Sequence, residues 1–543
     1  MPLSPPRSHL KTHEVLNQPL PRGARDLWAE DPILQTYAKK AVADAAHLAT
    51  TGRAYGTEEA RHSADEARRD PPRLVSFTRN GTRADEVRFN DGYHRLMALG
   101  LESGFASGPW AKGEKGGHAT HAGLVYCQAQ LESGVSCPLT MTYAAVPALE
   151  ADAKLAALWA PKLTSTLYDP ALVPVHTKSG ATLGMAMTEK QGGSDVRANS
   201  TRAEAEGDHY RLFGHKWFCS APMSDGFLTL AQTKAGLTCF LVPRWLEGER
   251  NAINIMRLKS KLGNHANASS EIEYDGALAH RLGEEGQGVK TIIEMVHHTR
   301  LDTALAPAGL MRAALAEALW WVGGRSAFQR RLIDQPLMRA VLADLTLDRE
   351  AATALAFGCA EAFDGTTEEN RAFARIAVAL AKYLSNKRAP GVIYEAMECL
   401  GGMGYIEDTP MPMLYREAPL NSIWEGSGNV ICLDILCTLA RAPLAGEVLR
   451  ARLSGVTGRD AGYDRALAAH QARWPALPPE SEARWFVESL AQLLAGAFLL
   501  EGAPDAVAEA FIASRLEGQR GSTEGAMEGI DVTPILARLG HAA

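Results

Sequence analysis

At 543 residues the chain exceeds what one hydrophobic core organises, so two to four domains are expected. A hydrophobic content of 46% with 22% charged residues suits a globular protein, and the net charge of −7 argues against a general nucleic-acid binder, whose phosphate contacts need clustered Lys and Arg. Eight cysteines stand at no metal-ligand spacing; they read as buried, reduced thiols, and no metal site is expected.

In chain order, Met1 to Arg25 has no apolar h-region, so no signal peptide is expected. Residues 1–180 form a first, helical unit. Its Ala-rich apolar periodicity runs from Asp31 to Leu167 and is broken by Pro71-Pro72 and a Gly113–Gly117 loop. The pattern then changes to short alternating runs at Ala181–Thr188, His209–Phe218, Phe227–Gln232, Leu237–Val242, Ile253–Leu258 and Glu271–Tyr274. Bounded by Gly, Asp, Asn and Pro, they predict an antiparallel sheet or small β-barrel over 181–285. Helical period returns over 286–440, with long segments Val289–Val322, Pro336–Phe363 and Glu368–Cys399 as a bundle requires, and Pro390 is expected to end or kink the third. Residues 441–543 form a last helical extension. The longest strongly apolar run, Leu493–Leu500, is far short of a membrane span, and a cytoplasmic protein that crosses no membrane is expected.

The most informative stretch is Ser422-Ile423-Trp424-Glu425-Gly426-Ser427-Gly428-Asn429, which sets one carboxylate between a Trp and a small, flexible turn. Desolvation there would raise the carboxyl pKa and make Glu425 a usable base near neutral pH, while the following N–H groups stay free for a phosphate or carbonyl. A second motif, Gly184 to Asp195, runs an apolar strand into a turn rich in backbone and hydroxyl donors, suited to a polar heterocycle edge. In a third, Gly214-His215-Lys216-Trp217-Phe218-Cys219-Ser220, strand alternation points Trp217 and Phe218 oppositely and puts Ser220 on the Phe218 face. One ring can then cover a flat cofactor. In a fourth, Glu398-Cys399-Leu400-Gly401-Gly402-Met403-Gly404-Tyr405, glycines break a helix and permit close approach by a phosphate; the spacing is not a dinucleotide fingerprint.

Together and in this order these motifs resemble the acyl-CoA dehydrogenase family of flavoproteins, most closely its alkylation-response, AidB-like branch. Asn17–Pro21, Leu262-Gly263-Asn264 and Asn267-Ala268-Ser269 also look like that branch. The resemblance implies a multidomain α+β fold of N-terminal helices, central β-barrel and C-terminal helical bundle, with FAD as cofactor. By similarity, Met185, Met187, Thr188, Gly193 and Ser194 hold the flavin's pyrimidine edge; Phe218, Cys219 and Ser220 lie against the isoalloxazine. Ile423, Trp424, Gly426, Ser427 and Asn429 touch the flavin and its diphosphate, and Glu425 is the base. Where some members carry the base just before Arg300, this chain has Thr299, which cannot serve. Ser194 and Arg300 are implied in substrate binding, and Arg325 in reaching a neighbouring subunit's cofactor. The segment Arg325-Ser326-Ala327-Phe328-Gln329 has lost the family's glycine, and Glu398 stands where members have Gln. The implied activity is oxidation of the Cα–Cβ bond of an acyl-CoA thioester such as isovaleryl-CoA, with electrons leaving to an electron-transfer flavoprotein or other acceptor, in a homotetramer. The branch also implies an alternative: a DNA-binding flavoprotein that protects DNA from alkylation through the extension. That unit should then be basic, yet residues 441–543 hold 10 Arg and no Lys against 13 Asp plus Glu, a net of 10 − 13 = −3.

Overall fold

A computed structural model describes residues 7–111 and 116–540; residues 1–6 and 113–115, on which the leader and glycine-loop readings partly rest, lie outside it. The N-terminal unit is helical, as its periodicity predicts, but carries a hairpin that the pattern does not announce, β1 (Arg73–Phe77) against β2 (Arg83–Arg88). Two of its helices, Gly117–Ala129 and Ser133–Leu149, are buried nearly all round and pack on the long Gly288–Gly324 helix.

The barrel strands are β3 (Leu183–Ala186), β4 (Arg202–Glu206), β5 (His209–Cys219), β6 (Gly226–Thr233) and β7 (Gly236–Pro243), then a small hairpin β8 (Trp245–Leu246) and β9 (Glu249–Arg250), then β10 (Ile253–Leu258) and β11 (Ser270–Leu282). The ladder β5–β11–β7–β6–β4–β5 closes on itself, β11 pairing β5 along its first part and β7 at its end. The expected all-antiparallel sheet is corrected in two places, since β3 and β4 both run parallel to β6. Antiparallel neighbours need only a turn, whereas parallel ones need a crossover, and here the chain passes through β5 before it reaches β6. β4 reads Arg-Ala-Glu-Ala-Glu; its exposed face hides the apolar alternation that marks the other strands.

The bundle helices span Gly288–Gly324, Pro336–Asp364 and Glu368–Glu398. Pro336 at the first turn and the Thr367 side chain accepting from Asn370 N start the second and third where expected. Pro390 does not end the third. It removes one backbone donor, but the 31-residue helix is buried against both other bundle helices, and that packing outweighs the lost bond. The extension contributes the helix Ala483–Gly502, packed on the second and third. The stretch Glu480–Gly502 reaches the length and hydropathy of a membrane span, but 67% of it is buried within the protein, as in a core helix.

Arginine pins the extension to the bundle. Arg515 pairs with Asp344 (2.5 Å) and Asp348 (3.2 Å), Arg520 with Asp344 (2.9 Å) and Arg538 with Glu350 (2.7 Å). Next to the Arg538 pin, Asp31 caps the Pro32–Lys40 helix and meets Arg312 and Arg349 of the bundle, with no exposed surface.

Candidate active site

Three layers meet around one cavity of about 70 Å³. The barrel contributes Met185 from β3 and Ser220 just beyond β5, the Gly288–Gly324 helix contributes Thr299 and Asp302, and the 421–425 turn contributes Asn421, Trp424 and Glu425. The Ser133–Leu149 helix closes the far side, where Cys137 is hydrogen-bonded with Ser220.

The turn is built around an unfavourable backbone. Glu425 sits at φ +54°, the left-handed region that costs a residue with a Cβ roughly 1–2 kcal/mol, and Gly426 follows at +101°. Lys382, 2% exposed, donates from Nζ to the carbonyls of Asn421 and Gly426, both at 2.9 Å, and so clamps the two ends of the turn. Arg300 Nε donates to the Glu425 carbonyl at 3.4 Å, and Trp424 Nε1 to Asn421 Oδ1 at 2.8 Å. Burial pulls the Lys382 ammonium down to about 7, only partly offset by Glu425, while Arg300 lowers it further.

Glu425 is half-exposed as a whole residue, but its carboxyl end points inward. Burial raises its pKa above the ordinary carboxylate range, against the opposing pull of a 2.7 Å hydrogen bond donated by Thr299 Oγ1 and of the Arg300 and Lys382 charges. Thr299, at the position that cannot be a base, is thus the hydrogen-bond donor to the group at the base position.

The barrel side offers a flat platform. Phe218 is 45% exposed at the end of β5, beside the Lys259 ammonium (4.7 Å from the ring), and Ser220 follows on the same face. Met185 and Met187 share a half-buried face of the strand, and Thr188 leads into a turn held by a buried Glu189. That carboxylate accepts from Lys216 Nζ (2.8 Å), Ser200 N (2.7 Å) and Thr201 N (3.1 Å), and Trp217 N donates to the Thr188 carbonyl at 2.7 Å. Gly193 lies so close to Thr188 that a Cβ there would meet its Oγ1 at 2.4 Å; Ser194 is exposed at the turn's end.

Beyond Glu425, Ser427 caps the 14-residue Gly428–Arg441 helix without using its side chain, which leaves that helix N-terminus free to meet an anion. Lys387 and Arg484 flank it, and Arg484 Nε holds Asn429 Oδ1 at 2.8 Å. Ile423 is 63% exposed on the outer side of the turn.

Two expected site residues do something else, and a third, Arg325, expected at a neighbouring subunit's cofactor, lies away from this cavity. The Cys219 side chain points into the barrel core, as strand alternation demands, and its carbonyl is taken by Ser270 Oγ, so it offers a ligand nothing. Arg300 is not a free cation for substrate, because its Nη1 is paired with Asp434 at 2.8 Å and Asp434 is shared with Arg375. Arg325 lies about 37 Å along the helix from Arg300, at 1.5 Å per residue, packed over Trp321 (5.0 Å) with Nη1 near the Asn17 carbonyl (3.3 Å). It is outside this cavity. The residues overlooked in the sequence are Lys382, Asp434 and the Glu189–Lys216 pair; a Lys directly after the buried Ala-rich run 374–381 is the one signal that pointed to any of them.

Family profiles match along the chain: the N-terminal domain of the adaptive response protein AidB over residues 17–170, the acyl-CoA dehydrogenase middle domain over 184–277 and its C-terminal domain over 286–439. AidB of Escherichia coli (strain K12) is 41% identical over 525 residues, covering 94% of this chain and 96% of that protein. Among solved structures, ACDH-11 of Caenorhabditis elegans in complex with C11-CoA superposes with TM-score 0.83 at 28% identity, covering 94% of each chain. The apo-form of Bd2924 superposes with TM-score 0.79 at 30% identity, covering 88% of this chain and 98% of its own. The chain belongs to the acyl-CoA dehydrogenase family, FAD oxidoreductases acting on CH–CH bonds, in its AidB-like branch.

Proposed function

We propose that this protein oxidises the Cα–Cβ bond of a short acyl-CoA thioester, with Glu425 as the base. The observation that carries the reading is a desolvated carboxylate lining the same cavity as Ser220 and Met185 of the flavin-side strands. The residues present suit FAD. An exposed phenyl ring and a hydroxyl stand at a strand end, a turn at 188–194 offers donors, and a free helix N-terminus lies between Lys387 and Arg484 for the diphosphate. Bound there, the flavin supplies the acceptor for the β-hydride. Glu425 takes the α-proton, and Thr299 and the Lys382 clamp hold its carboxylate in one position against the strain of its backbone. The cavity is small, and the burial of the Glu425 carboxyl in it limits water at the base.

Because burial raises the Glu425 pKa, the active, deprotonated form is lost at higher pH than for an exposed glutamate. The rate of flavin reduction should therefore fall as pH drops through a midpoint above 4.5, read by stopped-flow at saturating thioester. A midpoint at or below that value would place the base in water.

Oligomerisation is part of the same proposal. The Ser326–Ala327/Arg330–Arg331 hairpin carries Phe328, 95% exposed, at its tip, and both tip residues have positive φ, Gln329 at +63° where the family has glycine. A tetramer that covers Phe328 and sets Arg325 against another subunit's cofactor accounts for both; an electron-transfer flavoprotein is the proposed acceptor.

The DNA-protection reading has less behind it. Five of the ten arginines of the acidic extension sit in close carboxylate pairs. Arg515, Arg520 and Arg538 pin it to the bundle, Arg452 pairs with Glu501 and Arg465 with Glu517. Any DNA affinity should be weak and fall steeply with salt, since only phosphate contacts are left to it. Salt-insensitive nanomolar binding in a titration from 50 to 200 mM salt would contradict this.

A further inference from the structure

Two helices face each other across the cavity, and both turn a polar stripe toward it. On Ser133–Leu149 the lining residues are Ser133, Ser136, Cys137, Thr140 and Met141, a single helix face at i, i+3, i+4, i+7 and i+8. On Gly288–Gly324 they are Thr299, Asp302, Thr303 and Ala306, again one face. A slot for an alkyl chain needs no hydroxyls, and every buried one left unbonded destabilises the fold. Here the Ser133 and Ser136 Oγ atoms are both buried and have no hydrogen-bond partner.

The acidic member of the stripe is already held by partners within the fold. Asp302 accepts from Thr140 Oγ1 (2.5 Å) and is 2.7 Å from His121 Nε2, while His121 Nδ1 faces the Phe105 carbonyl at 2.9 Å. Both Asp302 oxygens thus already have partners within the fold. Among the described residues no Lys or Arg lines the cavity, so nothing there answers a second carboxylate on the substrate.

We propose that the acyl group taken by this site is short and carries a neutral hydrogen-bonding substituent, a hydroxyl on a carbon beyond Cβ, recognised by Ser133 and Ser136. The inference rests on the dehydrogenase reading above and names its substrate class. The bond oxidised is still Cα–Cβ. The α-proton goes to Glu425, the β-hydrogen leaves with its electron pair to oxidised FAD, and the hydroxyl keeps its oxygen and proton. The product is an α,β-unsaturated thioester with the hydroxyl intact. A cavity of about 70 Å³ limits the chain to a few heavy atoms.

The test uses the FAD-loaded protein and an isosteric pair, 4-hydroxybutyryl-CoA and valeryl-CoA, with glutaryl-CoA as a third probe. Dissociation constants are measured by calorimetry on Glu425→Gln, which keeps the ligands intact, and flavin reduction rates on the parent protein. The hydroxylated thioester should bind about 10-fold or more tightly than its alkyl isostere, because the isostere leaves the serines unbonded. Glutaryl-CoA should bind worst. In the Ser133→Ala/Ser136→Ala variant the preference should shrink to about 3-fold or less. Equal or tighter binding of valeryl-CoA, or a preference that survives loss of both serines, overturns the proposal while leaving the dehydrogenase reading in place. If no thioester binds or reduces the flavin, that reading falls and this one with it.

Discussion

Glu425→Gln should slow thioester-driven flavin reduction by about 10²–10⁴-fold, the range a positioned general base supplies, while FAD stays bound. The variant isolates the proton transfer. The amide oxygen can still accept the hydrogen bond from Thr299, and the Lys382 clamp bonds only to backbone carbonyls, so the turn keeps its shape. Stability should not suffer. A carboxyl whose folded pKa lies above its unfolded value binds its proton more tightly in the folded state. The associated stability is therefore present below the unfolded pKa and lost as pH rises through the folded one. Above its folded pKa the charged Glu425 works against the fold, and removing that charge should leave the melting temperature there unchanged or higher. Rapid mixing with thioester under anaerobic conditions reads the first effect and thermal melting the second. Unaltered bleaching would remove Glu425 from its role, and a large loss of stability would show that the carboxylate holds the turn together.

The largest effect on stability should come from Asp31→Ala. This carboxylate caps the Pro32–Lys40 helix through Leu34 N (3.1 Å), accepts from the Tyr126 hydroxyl (2.7 Å) and pairs with Arg312 (3.2 Å) and with Arg349. Arg312 is 3% and Arg349 0% exposed. Burial pushes the Asp31 carboxyl up, but Arg349 and then Arg312 pull it further down, to a net value below the ordinary range. Its stabilising charge is therefore present above the unfolded pKa and lost as pH falls through the folded one. Truncation strands two buried guanidiniums, at roughly 3–5 kcal/mol, and removes a helix cap worth about 1 kcal/mol. Against a usual total of about 5–15 kcal/mol, the N-terminal unit should come loose from the bundle, seen as a lowered melting temperature and early proteolysis. Asp31→Asn keeps the cap but not the charge, so it should lose nearly as much. A melting temperature within a degree of the parent would mean the cluster is solvated.

The helical half of the fold was legible because local signals agree. Ala- and Leu-rich runs, Pro336, the Thr367 cap and the Gly286–Gly288 break place the bundle helices within one or two residues of their ends. The barrel was legible only in part. Alternation marks β5, β6 and β10 nearly to the residue, whereas the parallel pairing of β3 and β4 with β6 joins segments that are not consecutive, and the apolar face of β4 consists of two alanines. Of the two effects expected of Pro390, ending the helix does not occur, because the helix is packed on two others. At the site, the motif around Glu425 stands out by composition, but its clamp does not. Lys382 lies 43 positions earlier in the chain, and nothing local says that its ammonium will turn back to hold that backbone. Cys219 was grouped with Phe218 and Ser220 by adjacency, although period-two alternation alone turns it to the other face.

The central claim is that one cavity brings a thioester, a flavin and the Glu425 carboxylate together. Anaerobic titration of the FAD-loaded protein with a panel of short acyl-CoA thioesters tests it most directly. The account predicts bleaching of the oxidised flavin band by at least one short thioester, and its loss in Glu425→Gln. A protein that holds FAD yet stays fully oxidised with every thioester at millimolar concentration would contradict it.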